Sequence, residues 1–402
     1  MTRDDRWLLG LWLFIGGMVG TLVWTNPNHY LSPDSTYYLS FAGWLVSLDG
    51  DRYGHPGTGW DGTFPLGYPL LIGTLAWLLG LSLLVASKML NVGMVADFLL
   101  IWRRRIGARR TLWLGSVLLL GGFLRILIYT WSEWAFLILL FEWIWFLGET
   151  SSDTLAGVGR YRYVARLLLL TIGLFLLRYV GGYVVIVYGL LTLGTYRRIG
   201  WVRTRQRLAP DLLYGLVSVV FMVGYFYLNS RLSPSAYGGE RFYETAETMG
   251  DKLWLIAIAI PNELLLFRDY IPGEPTWLVW LGLVLQTALF WWTWPRLVRQ
   301  KKTLPDFRIV NSQLLMVCIL SAGTYLAILF TMRLFSPFNG PNARLMAPVT
   351  LPLLMLLAGW FSGWTNVLAR RQLGRWWVVV LGCSWLQLLP QADLWAKLSR
   401  LF

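Results

Sequence analysis

Two carboxylates stand at breaks between long apolar blocks of this 402-residue sequence. Asp34 follows Ser32 and Pro33 directly after the first apolar block, and Glu133 lies between two later blocks in the segment 129–134. A carboxylate within hydrogen-bond reach of a hydroxyl group can act as a general base, because it can take the proton of the attacking hydroxyl. Two plainer interpretations remain open: Asp34 as the cap of the following helix, and Glu133 as a solvated side chain in an interfacial tryptophan belt.

Three arginines at the ends of later apolar blocks are candidates for anion binding. Arg178 precedes a break at Gly181 and Gly182, whereas Arg333 and Arg344 flank a turn rich in Pro, Gly and Asn. The planar guanidinium group matches phosphate oxygens in geometry and charge. We therefore predict that these arginines bind a lipid phosphate or pyrophosphate. The alternative is that they extend to the head groups of the outer leaflet.

The first long loop carries further candidate binding residues. Asp61 shares this loop with Asp34 and can approach it, and Tyr37 and Tyr68 lie in the same region; we predict that these three side chains contact the substrate. The string 57–62 matches the pattern GxGxxG, but a nucleotide site of that type needs a preceding strand within a βαβ unit. No such unit is expected here.

The composition determines which elements must position these residues. Hydrophobic residues make up 56% of the chain and charged residues 14%, whereas a soluble domain has about 25% charged residues. This excludes a soluble enzyme and a disordered chain, and the apolar blocks are too long for the strands of an outer-membrane barrel. The sequence predicts an all-α polytopic membrane protein with about eleven transmembrane helices, over 7–24, 83–102, 111–130, 134–148, 164–178, 180–195, 211–229, 276–294, 310–331, 346–364 and 376–390.

Charge in the loops predicts the orientation. With the N-terminus inside, 23 of the 35 Lys and Arg residues lie on the cytoplasmic side, as the positive-inside rule requires. Counting the block 66–81 as a further span would move the Arg-rich segment 103–110 outside, so we predict a juxtamembrane helix there. The first block lacks a cleavage pattern and is predicted to be a retained anchor. The expected location is the cytoplasmic (inner or plasma) membrane, with the active site facing outside.

Two modules follow from this arrangement. Residues 1–195 form the predicted catalytic transmembrane module, with a first outer loop over 25–82. Residues 196–402 form a C-terminal transmembrane module, with an outer loop over 230–275 and an Arg-rich outer turn over 331–348. Within the second loop, the apolar stretch 253–267 is predicted to be another interfacial helix that covers the site.

Few residues suggest metal binding or coupled transport. Cys318 and Cys383 lie inside apolar blocks, and the two histidines, His29 and His55, are too few for a histidine-based metal site. Asp97 and Glu142 fall within predicted membrane segments, where an ionisable group is a functional candidate by default. For Asp97, pairing with the nearby inner arginines is the alternative.

The order of these features resembles one superfamily. An acidic motif after the first span, a Pro-Leu-Gly-Tyr-Pro turn at 65–69, a carboxylate in the next outer turn, an Arg-Tyr-x-Gly break and a late Arg-x-x-x-Pro segment occur together in the GT-C integral membrane glycosyltransferases. The sequence is especially similar to the branch with protein O-mannosyltransferases and lipid A aminoarabinose transferases. The likeness covers roughly 1–195 and 331–348.

The resemblance implies specific roles. It implies that Asp34 is the catalytic base or positions the acceptor, and that Glu133 is the second-loop carboxylate. It also implies that Arg344 or Arg333 holds the phosphate of a polyprenyl-phosphate sugar donor. Ser35 stands where the family often has a second acidic residue, which argues against a metal pair in the first loop. We expect Asp34, Arg333 and Arg344 to meet in one pocket at the outer face.

The function expected from this resemblance is transfer of a sugar from a polyprenyl-phosphate-linked donor to an acceptor hydroxyl on the extracytoplasmic side, with inversion. The expected partners are the lipid-linked sugar, a glycan, lipid or protein acceptor, and the membrane, but not nucleic acid. The requirement for a divalent cation is left open. Alternatives are a transporter or flippase of a lipid-linked substrate, or an inactive GT-C-like assembly partner.

Overall fold

The computed structural model of the protein describes residues 2–46, 59–149, 158–199, 201–233, 247–264, 276–299, 312–335, 342–362 and 367–388. Across these ranges the backbone forms helices joined by turns, and no β-strand occurs in them. The all-α class predicted from the composition is therefore confirmed.

The α-helices of the first half vary widely in length. They are α1 Arg3–Thr25, α2 Pro33–Leu45, α3 Gly67–Leu79, α4 Leu83–Ile106, α5 Ala108–Ser116, α6 Gly121–Ile128, α7 Glu133–Glu149, α8 Val158–Leu177 and α9 Val184–Ile199. Those of the second half are α10 Trp201–Leu232, α11 Met249–Leu264, α12 Thr276–Arg299, α13 Ser312–Phe335, α14 Ala343–Ser362 and α15 Val367–Ser384. Short 3-10 helices cover Val117–Leu119, Tyr179–Tyr183 and Trp385–Leu388.

Several helices have the length and apolarity needed to cross a bilayer. Six do so among the described residues, and a bent pair raises the number to seven. Each of the eleven predicted apolar blocks overlaps one or more of the helices. Large apolar side chains such as Leu216, Val220 and Trp280 are exposed, as expected for a surface that faces lipid. The polytopic membrane class is thus confirmed, and eleven crossings stay a prediction.

Helix α7 forms the centre of the bundle. Between Glu133 and Glu142 it has no charged residue, and a helix that is apolar all round is stable only when it is buried. It packs against α8 and α13, with Trp134, Phe136 and Trp143 fully buried. Glu133 is consequently the first residue of a buried helix.

The block 111–130, predicted as one span, is broken. Helix α5 and the following 3-10 turn meet α6 at an angle of 75°, and the break falls just before Gly121. The Gly121 amide donates a hydrogen bond of 3.0 Å to the Ser384 hydroxyl. Side chains at this point would collide with the C-terminal segment, because a Cβ on Gly121 would lie 2.0 Å from the Ser384 carbonyl oxygen.

Two short helices, α2 and α3, lie within the predicted first outer loop, 25–82. Helix α3 has 13 residues and is therefore about 20 Å long, less than the roughly 30 Å of a bilayer core. This length agrees with the predicted juxtamembrane helix. Helix α3 packs on α2, where a Cβ on Gly73 would lie 2.9 Å from the Ala42 carbonyl oxygen. Helix α11 lies where a second interfacial helix was expected.

The close contact at Gly121 generates a prediction. Gly121→Ala should lower the free energy of unfolding by about 1–3 kcal/mol, because the added methyl group meets a backbone atom that cannot rotate away. The measurement is thermal unfolding of the purified protein in detergent. Gly215→Ala is the matched control, since no atom lies within 4 Å of a Cβ there. Equal unfolding midpoints for the two variants would contradict the tight packing at the break.

Candidate active site

Four charged side chains from separate elements meet at one end of the bundle. Arg344, near the start of α14, places Nη2 2.5 Å from Oδ2 of Asp34 in α2. Its Nε contacts Oε1 of Glu133 at the start of α7. Arg178, between α8 and the 3-10 turn, contacts the same oxygen through Nη1. The cluster is therefore a continuous chain of alternating charges.

The start of α2 positions Asp34. Ser32 caps the helix, accepting a hydrogen bond from the Ser35 amide (3.2 Å), and Pro33 occupies the first turn. Asp34 is thus one residue inside the helix and is not its cap, so its carboxylate is directed to Arg344. Ser35 is buried and its hydroxyl lies 3.0 Å from that of Ser32. Ser35 therefore takes part in the cap of α2.

An aromatic stack positions the guanidinium group of Arg344. Its central carbon lies 4.2 Å from the centroid of the Trp131 ring, a cation–π contact. The Trp131 ring stacks on Tyr129 at 4.0 Å, and its indole N–H donates to the Ser32 hydroxyl at 2.7 Å. The turn before Glu133 is therefore tied to the helix that carries Asp34.

Glu133 is the most deeply buried member of the cluster. Its side chain is 1% exposed, against 17% for Arg178 and 21% for Arg344. A buried carboxylate needs a compensating charge, and here two guanidinium groups contact one of its oxygens. Among the described residues, the second oxygen, Oε2, has no hydrogen-bond partner. The site thus contains one free acceptor beside two cations.

The glycine-rich break after α8 positions Arg178. The Arg178 amide donates to the Leu174 carbonyl at 3.0 Å, and the Arg178 carbonyl accepts from the Gly181 amide at 2.7 Å. A Cβ on Gly181 would lie 2.4 Å from the Leu174 carbonyl oxygen. Glycine is required here because the chain folds back closely on α8, and this turn brings Arg178 to Glu133.

Polar residues of α4 that belong to no motif hold the turn before α7. Lys88 Nζ donates to the Ile128 carbonyl at 2.5 Å, and Asn91 donates to the carbonyls of Leu127 and Tyr129 at 3.0 Å each. Both side chains are buried. The only sequence signal is their occurrence inside an apolar block, where an ionisable group is costly.

Tyr38 supports the same turn from α2. Its hydroxyl lies 2.8 Å from the Ser132 hydroxyl, next to Glu133 in the chain. Burial, followed by the negative charge of Glu133, raises the pKa of the Tyr38 phenol. The phenol is therefore neutral at physiological pH and can act as a hydrogen-bond donor.

Other predicted site residues lie around this cluster or away from it. Arg333 does not join it, since its Nη2 pairs with Glu247 at 2.8 Å. Asp61 accepts a hydrogen bond of 2.8 Å from the Thr63 amide. Tyr68 is buried and donates to Asn91 at 3.0 Å. Tyr37 is half-buried, with its ring 5.6 Å from that of Phe64.

The two acids predicted inside membrane segments are placed differently. Glu142, in the middle of α7, pairs with Arg105 at 2.8 Å. Asp97 is exposed on α4. In the described part of the chain, no three residues of the types His, Cys, Asp and Glu form a group that could hold a metal ion.

Comparison with known proteins identifies the fold. No protein-family model matches the sequence, and no curated protein does. The helical arrangement is similar to that of a protein of known structure, ArnT. The particular match is a crystal structure of ArnT from Cupriavidus metallidurans bound to undecaprenyl phosphate, with a TM-score of 0.50 and 16% identity over 88% of this chain and 59% of that chain.

A second crystal structure of the same ArnT, in the apo state, gives a TM-score of 0.48 and 17% identity over 91% of this chain and 61% of that one. This chain thus spans about three fifths of the length of ArnT. The predicted resemblance is confirmed as a likeness of fold to ArnT.

The burial of Glu133 generates a prediction about stability. Glu133→Gln should lower the free energy of unfolding by about 3 kcal/mol, because it leaves the Arg178 guanidinium without a counter-charge. The double variant Glu133→Gln/Arg178→Gln should lose less than the sum of the two single variants. Thermal unfolding in detergent gives the four values of this double-mutant cycle. Strictly additive losses would contradict a direct interaction between the two side chains.

Proposed function

We propose that the protein is a membrane glycosyltransferase that moves a sugar from a polyprenyl-phosphate-linked donor to an acceptor hydroxyl. The observation that carries the proposal is the contact of 2.5 Å between Asp34 and Arg344. A carboxylate that could act as a base thus lies beside a guanidinium group that could bind phosphate, and this supports the proposal. ArnT, whose fold is similar, was crystallised with undecaprenyl phosphate, which supports a polyprenyl lipid as the donor carrier.

Each residue has a defined task in this reaction. Arg344 and Arg178 bind the donor phosphate, whose negative charge increases as the bond from the sugar to the phosphate oxygen breaks. Cationic side chains stabilise that charge, so no acid catalyst is needed for the leaving group. Asp34 accepts the proton of the acceptor hydroxyl as its oxygen bonds to the sugar. The products are the glycosylated acceptor and polyprenyl phosphate, and direct displacement inverts the anomeric centre.

Arrival of the donor changes the pairing in the cluster. With two carboxylates and two arginines, the four side chains are neutral together. A phosphate that binds Arg344 competes with Asp34 for the same guanidinium group. Asp34 is then released to face the acceptor hydroxyl, whereas Glu133 stays bound to Arg178 and keeps the buried end of the site in place. Donor binding thus prepares the base.

The transporter alternative has less support. A coupling residue is expected in mid-membrane, open to a pathway. Glu142 is instead paired with Arg105, and Asp97 is exposed on the side of α4. The charged groups that do meet lie at helix ends. One of them is Glu133, the first residue of α7, whose Oε2 has no hydrogen-bond partner among the described residues. We also propose that the site faces the extracytoplasmic side, as the loop charges predict.

Removal of the base tests the mechanism. Asp34→Asn should reduce sugar transfer about 100-fold or more, since a general base contributes about 10²–10⁴ to the rate. Stability should change by less than about 1 kcal/mol, because the pair with Arg344 is partly exposed. Transfer is measured by mass spectrometry as conversion of the co-purified lipid-linked sugar to polyprenyl phosphate. Asp97→Asn is the matched control; near-normal turnover in Asp34→Asn would exclude Asp34 as the base.

Removal of the phosphate-binding group tests the donor. Mass spectrometry of lipids extracted from the purified protein should find a polyprenyl-phosphate lipid with wild type and with Asp34→Asn. The Arg344→Ala protein should carry this lipid in an amount reduced about tenfold or more, because a hydrogen bond to a charged group contributes about 1.5–3 kcal/mol. Arg231→Ala, at an exposed position near the end of α10, is the matched control. Equal lipid occupancy in both variants would assign Arg344 a structural role.

A further inference from the structure

A second buried polar cluster lies at the opposite end of α8. Arg160 is near the start of this helix and Arg178 follows its end, so the two are separated by about 27 Å along the helix. Arg160 Nη2 lies 2.6 Å from Oδ1 of Asp211 in α10. Arg160 is 4% exposed and Asp211 8%. In the sequence, Arg160 is one of the inner basic residues, but the structure buries it.

The carboxylate of Asp211 is saturated. Oδ1 accepts from Arg160 and from the Tyr188 hydroxyl at 2.7 Å. Oδ2 accepts from the Tyr196 hydroxyl at 2.7 Å. Since these donors satisfy both oxygens, the carboxylate needs no further ligand. Asp211 neutralises the charge of Arg160, but it does not accept from all the N–H groups of that guanidinium.

Two donors beside this pair remain unused. Among the described residues, Nη1 of Arg160 and the hydroxyl of Tyr163 are buried without a hydrogen-bond partner. The guanidinium carbon of Arg160 lies 5.1 Å from the centroid of the Tyr163 ring, so the two groups are neighbours. A buried donor without an acceptor is destabilising, and more so when it is charged. Both would be satisfied by an acceptor between them.

Space for such an acceptor is present. Arg160 and Tyr163 line a cavity of about 330 Å³ between α7, α8, α9, α10 and α13. This volume lies within the roughly 300–1,000 Å³ of small-molecule sites and exceeds what a single water molecule requires. Further polar groups line the cavity, namely Thr192, Thr195, Ser312 and Gln313. The lining thus suits a ligand that has several oxygen atoms.

We propose that this cavity binds the phosphate group of a phosphate ester, with Arg160 Nη1 and the Tyr163 hydroxyl as donors to its oxygens. A guanidinium group with a free N–H₂ is a cationic donor, and the adjacent phenol can donate its O–H as well. This pair matches a phosphate oxygen, whereas the guanidinium charge repels a cation. Exposed arginines nearby favour the approach of an anion. They are Arg162 and Arg166 on α8 and Arg197 on α9. The hydroxyl and amide groups of the lining bind the polar remainder of the ester.

This site is separate from the Asp34 cluster and does not depend on the proposed function. In the orientation that the loop charges predict, it lies at the cytoplasmic end of the bundle. The ester is either a phospholipid head group or a soluble phosphate metabolite, since both present the same chemistry. The two sources are separated by experiment.

The test uses the full chain purified in detergent. The soluble probe is glycerol 3-phosphate, with glycerol as its control, measured by calorimetry. The lipid probe is phosphatidylglycerol, with diacylglycerol as its control, measured by native mass spectrometry. Tyr163→Phe removes one unused hydroxyl and should leave the unfolding midpoint equal to that of wild type or higher. Tyr161→Phe is the matched control, because Tyr161 is exposed on the same helix.

We expect saturable binding of one phosphate probe, weakened about tenfold or more by Tyr163→Phe, since a hydrogen bond to a charged group is lost. Arg160→Lys, which keeps the charge but loses Nη1, should weaken it similarly, and Tyr161→Phe should not. If only the lipid probe binds, the ligand is a phospholipid head group. If only the soluble probe binds, the ligand is a soluble phosphate metabolite. A smaller loss in Tyr163→Phe, equal binding of the control compounds, or no saturable binding overturns the proposal.

Discussion

A carboxylate at the start of a buried helix is stable only where positive charge reaches it. Glu133 imposes this condition on the structure, because α7 has no charged residue between Glu133 and Glu142 and this part of the helix cannot move towards water without exposing apolar side chains. Arg178 and Arg344 supply the charge from two other elements. The glycine break after α8 and the start of α14 are therefore both constrained by one side chain.

The same constraint separates structural from chemical roles within the cluster. Glu133 is fully buried and contacts both arginines. Asp34 is about one third exposed, and among the described residues its ion pair is with Arg344. A partly exposed carboxylate can exchange partners at little cost, but a buried one cannot. The outer carboxylate is thus suited to proton transfer and the inner one to electrostatic support. Two residues of similar chemistry differ because of their depth.

Local sequence signals predicted much of this site. Four charged residues were singled out from the sequence because each stands at the end of an apolar block, next to few other polar residues. These are Asp34, Glu133, Arg178 and Arg344. Their meeting depends on helix breaks that Pro and Gly mark. The apolar blocks likewise predicted the positions of the helices, since burial or lipid contact requires uninterrupted apolar runs.

Non-local pairing explains what the sequence did not predict. Arg333 contacts Glu247 across 86 residues, and Arg160 contacts Asp211 across 51. Counting charges treats every basic residue near a loop as solvated, so it cannot identify a buried pair whose partner lies on another helix. The bend at Gly121 was missed for a related reason, because hydropathy alone does not distinguish a straight span from two helices that meet at an angle.

The bend also makes the packing of one segment depend on another segment that is synthesised much later. The Gly121 amide and the Leu119 carbonyl receive their partners from Ser384 and Trp385, more than 260 residues later in synthesis. Before that segment emerges from the ribosome, these backbone groups have no such partner, and an unsatisfied group in hydrocarbon costs several kcal/mol. The amino-terminal helices therefore complete their packing only after the segment with Ser384 and Trp385 has been synthesised, and the two halves of the chain mature as a single unit.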